Sequence, residues 1–500
     1  MLVEAIGKEF KKEIELICVK SVITPYKELY EQEGQKTLEN VEKRYIWFTR
    51  ALKDFKIKTE EVFPHYWGIQ CFIVHEFCGV TAVQMMEILN QMKQDKDSVI
   101  DLIKALQATL KFETSINEDL KAEYEQYFKL KTETDNPNRI EQLPTIKGTI
   151  SKCFEEYTGF YVNKEKEDLE ATVLPEVKKD LERKNKVQGG SEEMEPLNSS
   201  LIMFNTIKFL LNRASKISRG KTMNNIKNVI QEMVGKYVSL VDAQVAKEQQ
   251  MLKKNPEAQE RFILNMCALI STLDYIKDTL SKLSEIVTTL VDEPFNQNIN
   301  FSMVEDQSAK TIVKCIDALV KVFQGKLETI LTGSMLKKQW DKVENVILFS
   351  NYINDIKALM VFFCDLVRDR ISKVYILRCF KLVAEVSNQK FLETIYKIRK
   401  INQFSVQQLQ IDFVEIKQQL NANGLNGNGE LISNIYPSLI EQYLEKTKNV
   451  IKLLDISPEL VEDTVRNYLQ NITRPELLKI LALKNMKKSE INNIMSKLNM

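Results

Sequence analysis

"NPEAQERFILNMCALISTLDYIKDTLSKLSEIVTTLVDEP", from Asn255 to Pro294, places apolar residues at Phe262, Met266, Leu269, Leu273, Ile276, Leu280, Leu283, Val287 and Leu290. The steps alternate between four and three, the spacing that keeps side chains on one face of an α-helix. Four heptads of unbroken seam predict a single long amphipathic helix. Asn255 is expected to cap it, with Pro256 in the first helical position and Pro294 as the stop. A second seam follows at Ile312, Ile316, Leu319, Phe323, Leu327 and Ile330, and Gly333 is expected to end it. The short connection from Pro294 to Asp306 makes antiparallel packing within one bundle the simplest arrangement.

Working outward, amphipathic segments succeed one another almost without strand signals along 500 residues. A hydrophobic content of 44% supplies several cores. Only 15 glycines and 11 prolines are present, well below the average of about 7% and about 5%. The expected fold class is therefore all-α, an elongated rod of consecutive helical bundles. Asn185 to Ser200 and Asn421 to Glu430 collect Gly, Asn, Ser and Glu and read as linkers, while Lys131 to Pro144 reads as a loop. These stretches set an N-terminal helical region at 1–185, a central bundle at 198–345 and a C-terminal bundle at 346–500.

Seventy basic and 69 acidic residues leave a net charge of +1, so no global field draws the chain to nucleic acid or anionic lipid. The eight cysteines are scattered without a CxxC pair and read as reduced core thiols. The first twenty residues mix charge into their apolar positions, unlike a signal or transit peptide. The longest apolar runs, such as Ala358 to Cys364, fall short of the ~20 residues that cross a bilayer. Membrane association is accordingly expected to be peripheral or through partners.

Tests for catalytic chemistry mostly fail. Gly220-Lys221-Thr222 is the tail of a phosphate loop, but Ser215 stands where the first glycine is required and no strand leads in. Gly220 reads instead as a turn between a helix ending near Ile217 and another starting near Thr222. Neither a GxSxG elbow nor an HExxH motif occurs. "HYWGIQCFIVHEFC" holds both histidines, His65 and His75, and a helix would align Cys71, His75 and Cys78 as zinc ligands at i, i+4 and i+7. The competing reading makes Cys71, Val74, His75 and Cys78 the buried or half-buried face of a helix that Gly79 terminates before Thr81 caps the next. On that reading the chain needs no metal, no cofactor and no small-molecule substrate.

The C-terminus offers a candidate contact. In "ITRPELLKILALKN" Thr473 and Glu476 are spaced as a cap pair, and Asn485 can close the helix in the left-handed conformation. "KKSEINNIMSKL" then restarts, with Ser489 as the expected cap. Arg474, Lys484, Lys487 and Lys488 gather positive charge, suited to acidic lipid headgroups or a partner's acidic face. The alternative is a solvated helix end whose lysines face the helix dipole. Two short helices at an angle also imitate a DNA-binding motif, but the neutral overall charge argues against a nucleic-acid partner.

Several stretches resemble one family in order: "KRYIWFTRALKDF" (Lys43 to Phe55), "EVFPHYWGIQCFIVHEFCGVT" (Glu61 to Thr81), "GTISKCFEEYTGFYV" (Gly148 to Val162), "ASKISRGKTMNNIKNVIQEMVGKY" (Ala214 to Tyr237), "KQWDKVENV" (Lys338 to Val346) and "LLKILALKNMKKSEINNIM" (Leu477 to Met495). Together they are similar to the vacuolar protein sorting-associated protein 53 family, collinear over about 450 residues. Phe63-Pro64, Trp67, Glu76-Phe77-Cys78 and Val80-Thr81 match the family pattern, which asks for no ligand at His65, Cys71 or His75.

The resemblance implies a non-enzymatic helical-rod subunit of the Golgi-associated retrograde protein (GARP) complex and the endosome-associated recycling (EARP) complex. It implies vesicle tethering in retrograde transport from endosomes to the trans-Golgi network and in endosomal recycling, with promotion of SNARE-dependent fusion. Sister tether subunits, SNAREs and small GTPases are the implied partners. The implied location is cytoplasmic, peripheral on trans-Golgi and endosome membranes. An exocyst-like or conserved-oligomeric-Golgi-like rod, and a metal-dependent enzyme, are the alternatives. Family members carry a long N-terminal coiled coil before the first motif, which here begins about forty residues from Met1. The chain is accordingly expected to be either a fragment or a subunit that assembles differently.

Overall fold

The computed structural model describes residues 8–63, 67–92, 96–128, 146–182, 195–425 and 429–498. Among these residues the chain forms sixteen α-helices joined by short 3-10 turns, and no strand. The all-α expectation holds. Two compact units are present: Met1–Leu174, Ile202–Met233 and Lys282–Asn300 make the first, and Pro175–Leu201, Val234–Ser281 and Phe301–Met500 the second.

In the first unit, α1 (Lys8–Tyr30), α2 (Val41–Thr59), α3 (Ile69–Asn90) and α4 (Lys96–Phe128) enclose an aromatic core. Phe48 stacks on Phe77 with centroids 3.7 Å apart, and Tyr45 stacks on Phe112 at 4.5 Å. Arg44 lies fully buried among them. Its guanidinium donates to Gln84 Oε1, the Tyr26 hydroxyl and the carbonyls of Tyr30 and Gln35, and sits 4.8 Å from the Tyr30 ring centroid. With no carboxylate partner among the described residues, this cation ties three helices together through neutral acceptors. Glu113 of α4 is equally buried, and its carboxylate accepts from the backbone N–H groups of Gly148, Ile150 and Ser151 and from the Ser151 hydroxyl. Gly148 has φ 86°, a backbone conformation that favours glycine. These bonds account for the GTIS text seen in the sequence.

Four helices, α5 (Thr158–Glu182), α6 (Asn198–Ala214), α7 (Lys221–Lys254) and α8 (Gln259–Leu290), contribute to both units. The second unit adds α9 (Ser302–Ile330), α10 (Asn351–Arg368), α11 (Lys373–Ile395), α12 (Gln403–Asn423), α13 (Tyr436–Asp455), α14 (Val461–Tyr468), α15 (Arg474–Leu483) and α16 (Lys488–Lys497). The quoted seam of α8 is buried from Phe262 to Val287, and that of α9 from Ile312 to Leu327, while Leu290 and Ile330 are only half-buried. Ser281 near the end of α8 donates to Glu305 at the start of α9, as in an antiparallel pair. Polar contacts from Gln307 to Ser239 and from Lys314 to Asp242 set α9 parallel to α7.

Several local expectations are corrected. α8 begins at Gln259, because Asn255 and Pro256 occupy the turn after α7. Gly333 does not end α9; a π-helical turn, Leu331–Met335, carries the chain on, with Leu331 and Met335 buried. Gly79 is not a stop, since α3 runs unbroken through it and Thr81 is buried with its hydroxyl 2.9 Å from that of Tyr26. α3 is also long and apolar enough to cross a membrane by length and composition, contrary to the reading from short apolar runs. Half of that window is buried, as expected of a core helix in the first unit. The linker at Asn185 to Ser200 and the Lys131 to Pro144 loop fall largely or wholly outside the described residues. Asn421 to Glu430 begins inside α12, and its described part includes the bridge between Leu425 and Leu431.

Candidate contact surface at the C-terminal helix pair

Helices α15 and α16 carry the basic residues singled out in the sequence. Thr473 donates to Glu476 Oε2 from both its backbone N–H (2.8 Å) and its hydroxyl (2.9 Å), and Pro475 opens the helix. Burial raises the Glu476 carboxyl's affinity for its proton, but the bonds from Lys446 and Thr473 outweigh it and hold the group below the usual carboxylate range. Leu477, Ile480, Leu481 and Leu483 pack inward. Asn485 then adopts φ 56°, the left-handed closure expected. The next helix is capped earlier than expected: the Lys487 N–H donates to Glu490 Oε2 at 2.8 Å, and Ser489 lies inside α16.

The four cluster residues are not equivalent. Arg474, Lys487 and Lys488 are exposed. Lys484 is half-buried and donates to the Leu454 carbonyl at 3.0 Å and the Ile456 carbonyl at 2.5 Å, at the end of α13. Burial holds its ammonium below the usual lysine range, against a raising influence from Asp455. Lys484 therefore closes the carbonyl end of a neighbouring helix, and three cations remain available to a partner.

The zinc constellation does not assemble. Cys71 and Cys78 are buried, and burial pushes their thiols up to about 11 and about 12, so they stay protonated at neutral pH. His75 is exposed, not on a buried or half-buried face as read from the spacing, and it lines a groove between α1 and α3 with Phe72 and Glu76. His65 lies outside the described residues. Among the described residues no group of three or more His, Cys, Asp or Glu side chains is placed to hold a metal ion. At the phosphate-loop tail, Thr222 is buried with its hydroxyl 2.7 Å from that of Thr158, which occupies it structurally.

One surface feature escaped the sequence reading. Val346, Ile347 and Leu348 are consecutive and exposed, in a segment pinned against α12 by Gln408 and Asp412. Those two polar residues at mid-helix i and i+4 spacing were the available signal.

Residues 1–180 match the family model described as "Vps53, N-terminal". Vacuolar protein sorting-associated protein 53 A of Arabidopsis thaliana is 24% identical over 558 residues, covering 100% of this chain and 65% of that protein. The vacuolar protein sorting-associated protein 53 homolog of Caenorhabditis elegans is 21% identical, covering 92% of this chain and 58% of that protein. The chain thus spans less than two-thirds of the length of both relatives. Among solved structures, the C-terminal domain of the exocyst subunit Sec6p matches with a TM-score of 0.56 at 14% identity, covering 70% of this chain and 90% of that one. That likeness concerns the helical fold alone.

Proposed function

We propose that the chain, similar to the vacuolar protein sorting-associated protein 53 family, is a non-enzymatic subunit of a multisubunit vesicle-tethering complex. It acts in retrograde transport from endosomes to the trans-Golgi network and in endosomal recycling, holding carriers near the target membrane and promoting SNARE-dependent fusion. The observation that carries this reading is the match of residues 1–180 to the family model, continued over the whole chain by the Arabidopsis relative. Its physical support is that packed helical bundles supply binding edges. Its site is peripheral on trans-Golgi and endosome membranes, and its partners are sister subunits of the GARP and EARP complexes, with SNAREs and small GTPases. The regions 1–185, 198–345 and 346–500 are proposed as its successive regions along the chain. Arg474, Lys487 and Lys488 are the proposed contact residues, Lys484 being engaged within the fold.

Native purification of the chain with identification of the co-purifying proteins tests this. Recovery of sister tether subunits is the expected result. Recovery of plasma-membrane or intra-Golgi tether subunits instead would replace this assignment with an exocyst-like or conserved-oligomeric-Golgi-like one, and recovery of none would overturn it.

A further inference from the structure

Residues 343–350 run without helix along one side of α12. Three hydrogen bonds keep them in step with it: Asn402 Nδ2 donates to the Val343 carbonyl, the Ile347 N–H to Gln408 Oε1, and the Ser350 N–H to Asp412 Oδ1, each at 2.8 Å. Gln408 and Asp412 are both fully buried, and Asp412 also accepts from the Tyr352 hydroxyl at 2.6 Å. Buried polar groups therefore hold this segment on a rigid element. What it displays is nonetheless apolar, with Val346 36%, Ile347 51% and Leu348 79% exposed. Phe404, one turn before Gln408, adds a ring that is 48% exposed. Anchored aliphatic side chains that protrude together into water mark a surface that is covered in use.

The charge around the tip says what covers it. Residues 337–348 and 397–402 carry six basic and two acidic side chains, in a chain whose net charge is only +1. Asn402 ties the two segments together, and from Asn402 to Gln408 the helix rises only about 9 Å, so the cations lie close to the tip. Lys337, Lys342, Arg399 and Lys400 are exposed and make no ion pair among the described residues. Asn485 Nδ2 reaches the Ile401 carbonyl at 3.5 Å, which sets the start of α16, with Lys487 and Lys488, beside the same loop. The nearby carboxylates of Asp455 and Glu490 are held by Gln403 and Gln410 and by the Lys487 N–H, respectively.

We propose that the Val346–Leu348 tip and its basic surround dock peripherally on an anionic bilayer, the aliphatic side chains entering the interface while the lysines and arginine meet the headgroups. An exposed apolar tip flanked by cations fits a lipid interface, where apolar burial and headgroup charge act together. An acidic protein would have to offer the tip a pocket. The assignment deepens the tethering reading and rests on it for its setting, but the two fail separately: vesicle binding does not require sister subunits, nor co-purification a bilayer.

Co-flotation of the full chain with phosphatidylcholine vesicles, with and without phosphatidylserine, tests it. Binding is expected only to the anionic vesicles, weakened by salt. Replacing Lys342 and Lys400 by Gln should reduce the partition coefficient about 30-fold, at roughly 1 kcal/mol per cation. Ile347→Asp with Leu348→Asp should reduce it at least tenfold while helical circular dichroism is unchanged. Wild-type chain that ignores anionic vesicles, or binds neutral ones equally, overturns the proposal, as does undiminished binding by either variant. Loss of a co-purifying protein from the Asp variant, without vesicle binding by the wild type, assigns the tip to a protein pocket instead.

Discussion

Arg44 shows how much one side chain can decide. Its guanidinium directs its donors to Gln84, Tyr26 and two backbone carbonyls, so removing it leaves several buried acceptors unmatched. Arg44→Met should destabilise the first unit by about 3 kcal/mol, and Arg44→Lys should not rescue it because an ammonium cannot replace the planar fork. Urea unfolding followed by the fluorescence of Trp47, whose ring lies 5.8 Å from that of Tyr26, and of Trp67, in a Trp340→Phe background, measures both. Undiminished stability in Arg44→Met would remove the clamp interpretation. The sequence marked this arginine only as part of a family motif. Its burial was not legible there, because an isolated arginine between two helix faces reads as solvated until the neighbouring helices arrive. The cysteine–histidine stretch erred in the opposite direction: spacing aligned Cys71, His75 and Cys78, but the packing of α1 beside α3 leaves His75 in a surface groove and the two thiols in the core. Metal analysis of the purified protein should accordingly find zinc well below one equivalent, with no change in Cys71→Ser; stoichiometric zinc would reverse that reading.

At the scale of elements, two glycines separate helix interior from helix end. Gly79 sits inside α3 with nothing within 4 Å of where a Cβ would stand, so Gly79→Ala should stabilise by about 0.5–1 kcal/mol. A helix stop at this position would give the opposite sign. At Gly424, just past α12, an added Cβ would collide with the Tyr436 ring, and Gly424→Ala should cost about 2 kcal/mol. Thermal melts of the two variants against the wild type read both effects. Glu476 provides a pH signature for α15. Its carboxyl titrates below the usual range when folded, so its contribution is present above the ordinary carboxylate pKa and is lost as pH falls through the depressed one. Stability measured from neutral pH down through that window should fall less steeply in Glu476→Gln than in the wild type; parallel curves would mean that the Lys446 and Thr473 bonds do not form. Caps made by local residues, such as Thr473 with Glu476 and Asn485, were readable in the sequence. Starts and stops set by tertiary packing at Gln259, Gly79 and Gly333 were not, since burial on either side outweighs the cost of a glycine in a helix.

For the whole molecule, near-neutral charge means that any lipid or partner binding must come from local patches. Substitutions at Ile347 and Leu348 should therefore leave co-purification of sister subunits intact while reducing vesicle partitioning at least tenfold; joint loss of both would show one surface serving both roles. The sequence by itself determined the all-α class, the long seams of α8 and α9 and the scattered cysteines, and carried the likeness to one family, because each rests on periodicity, composition or collinear order, which are properties of the chain. Only the tertiary structure decided which basic residues face solvent, withdrawing Lys484 to the end of α13, and which segments meet. Residues 337–348, 397–402 and 485–488 are far apart in sequence, and hydrogen bonds from Asn402 and Asn485 bring them together at the start of α12. No period or spacing records such a meeting, because it arises from the packing of helices whose sequence separation is large.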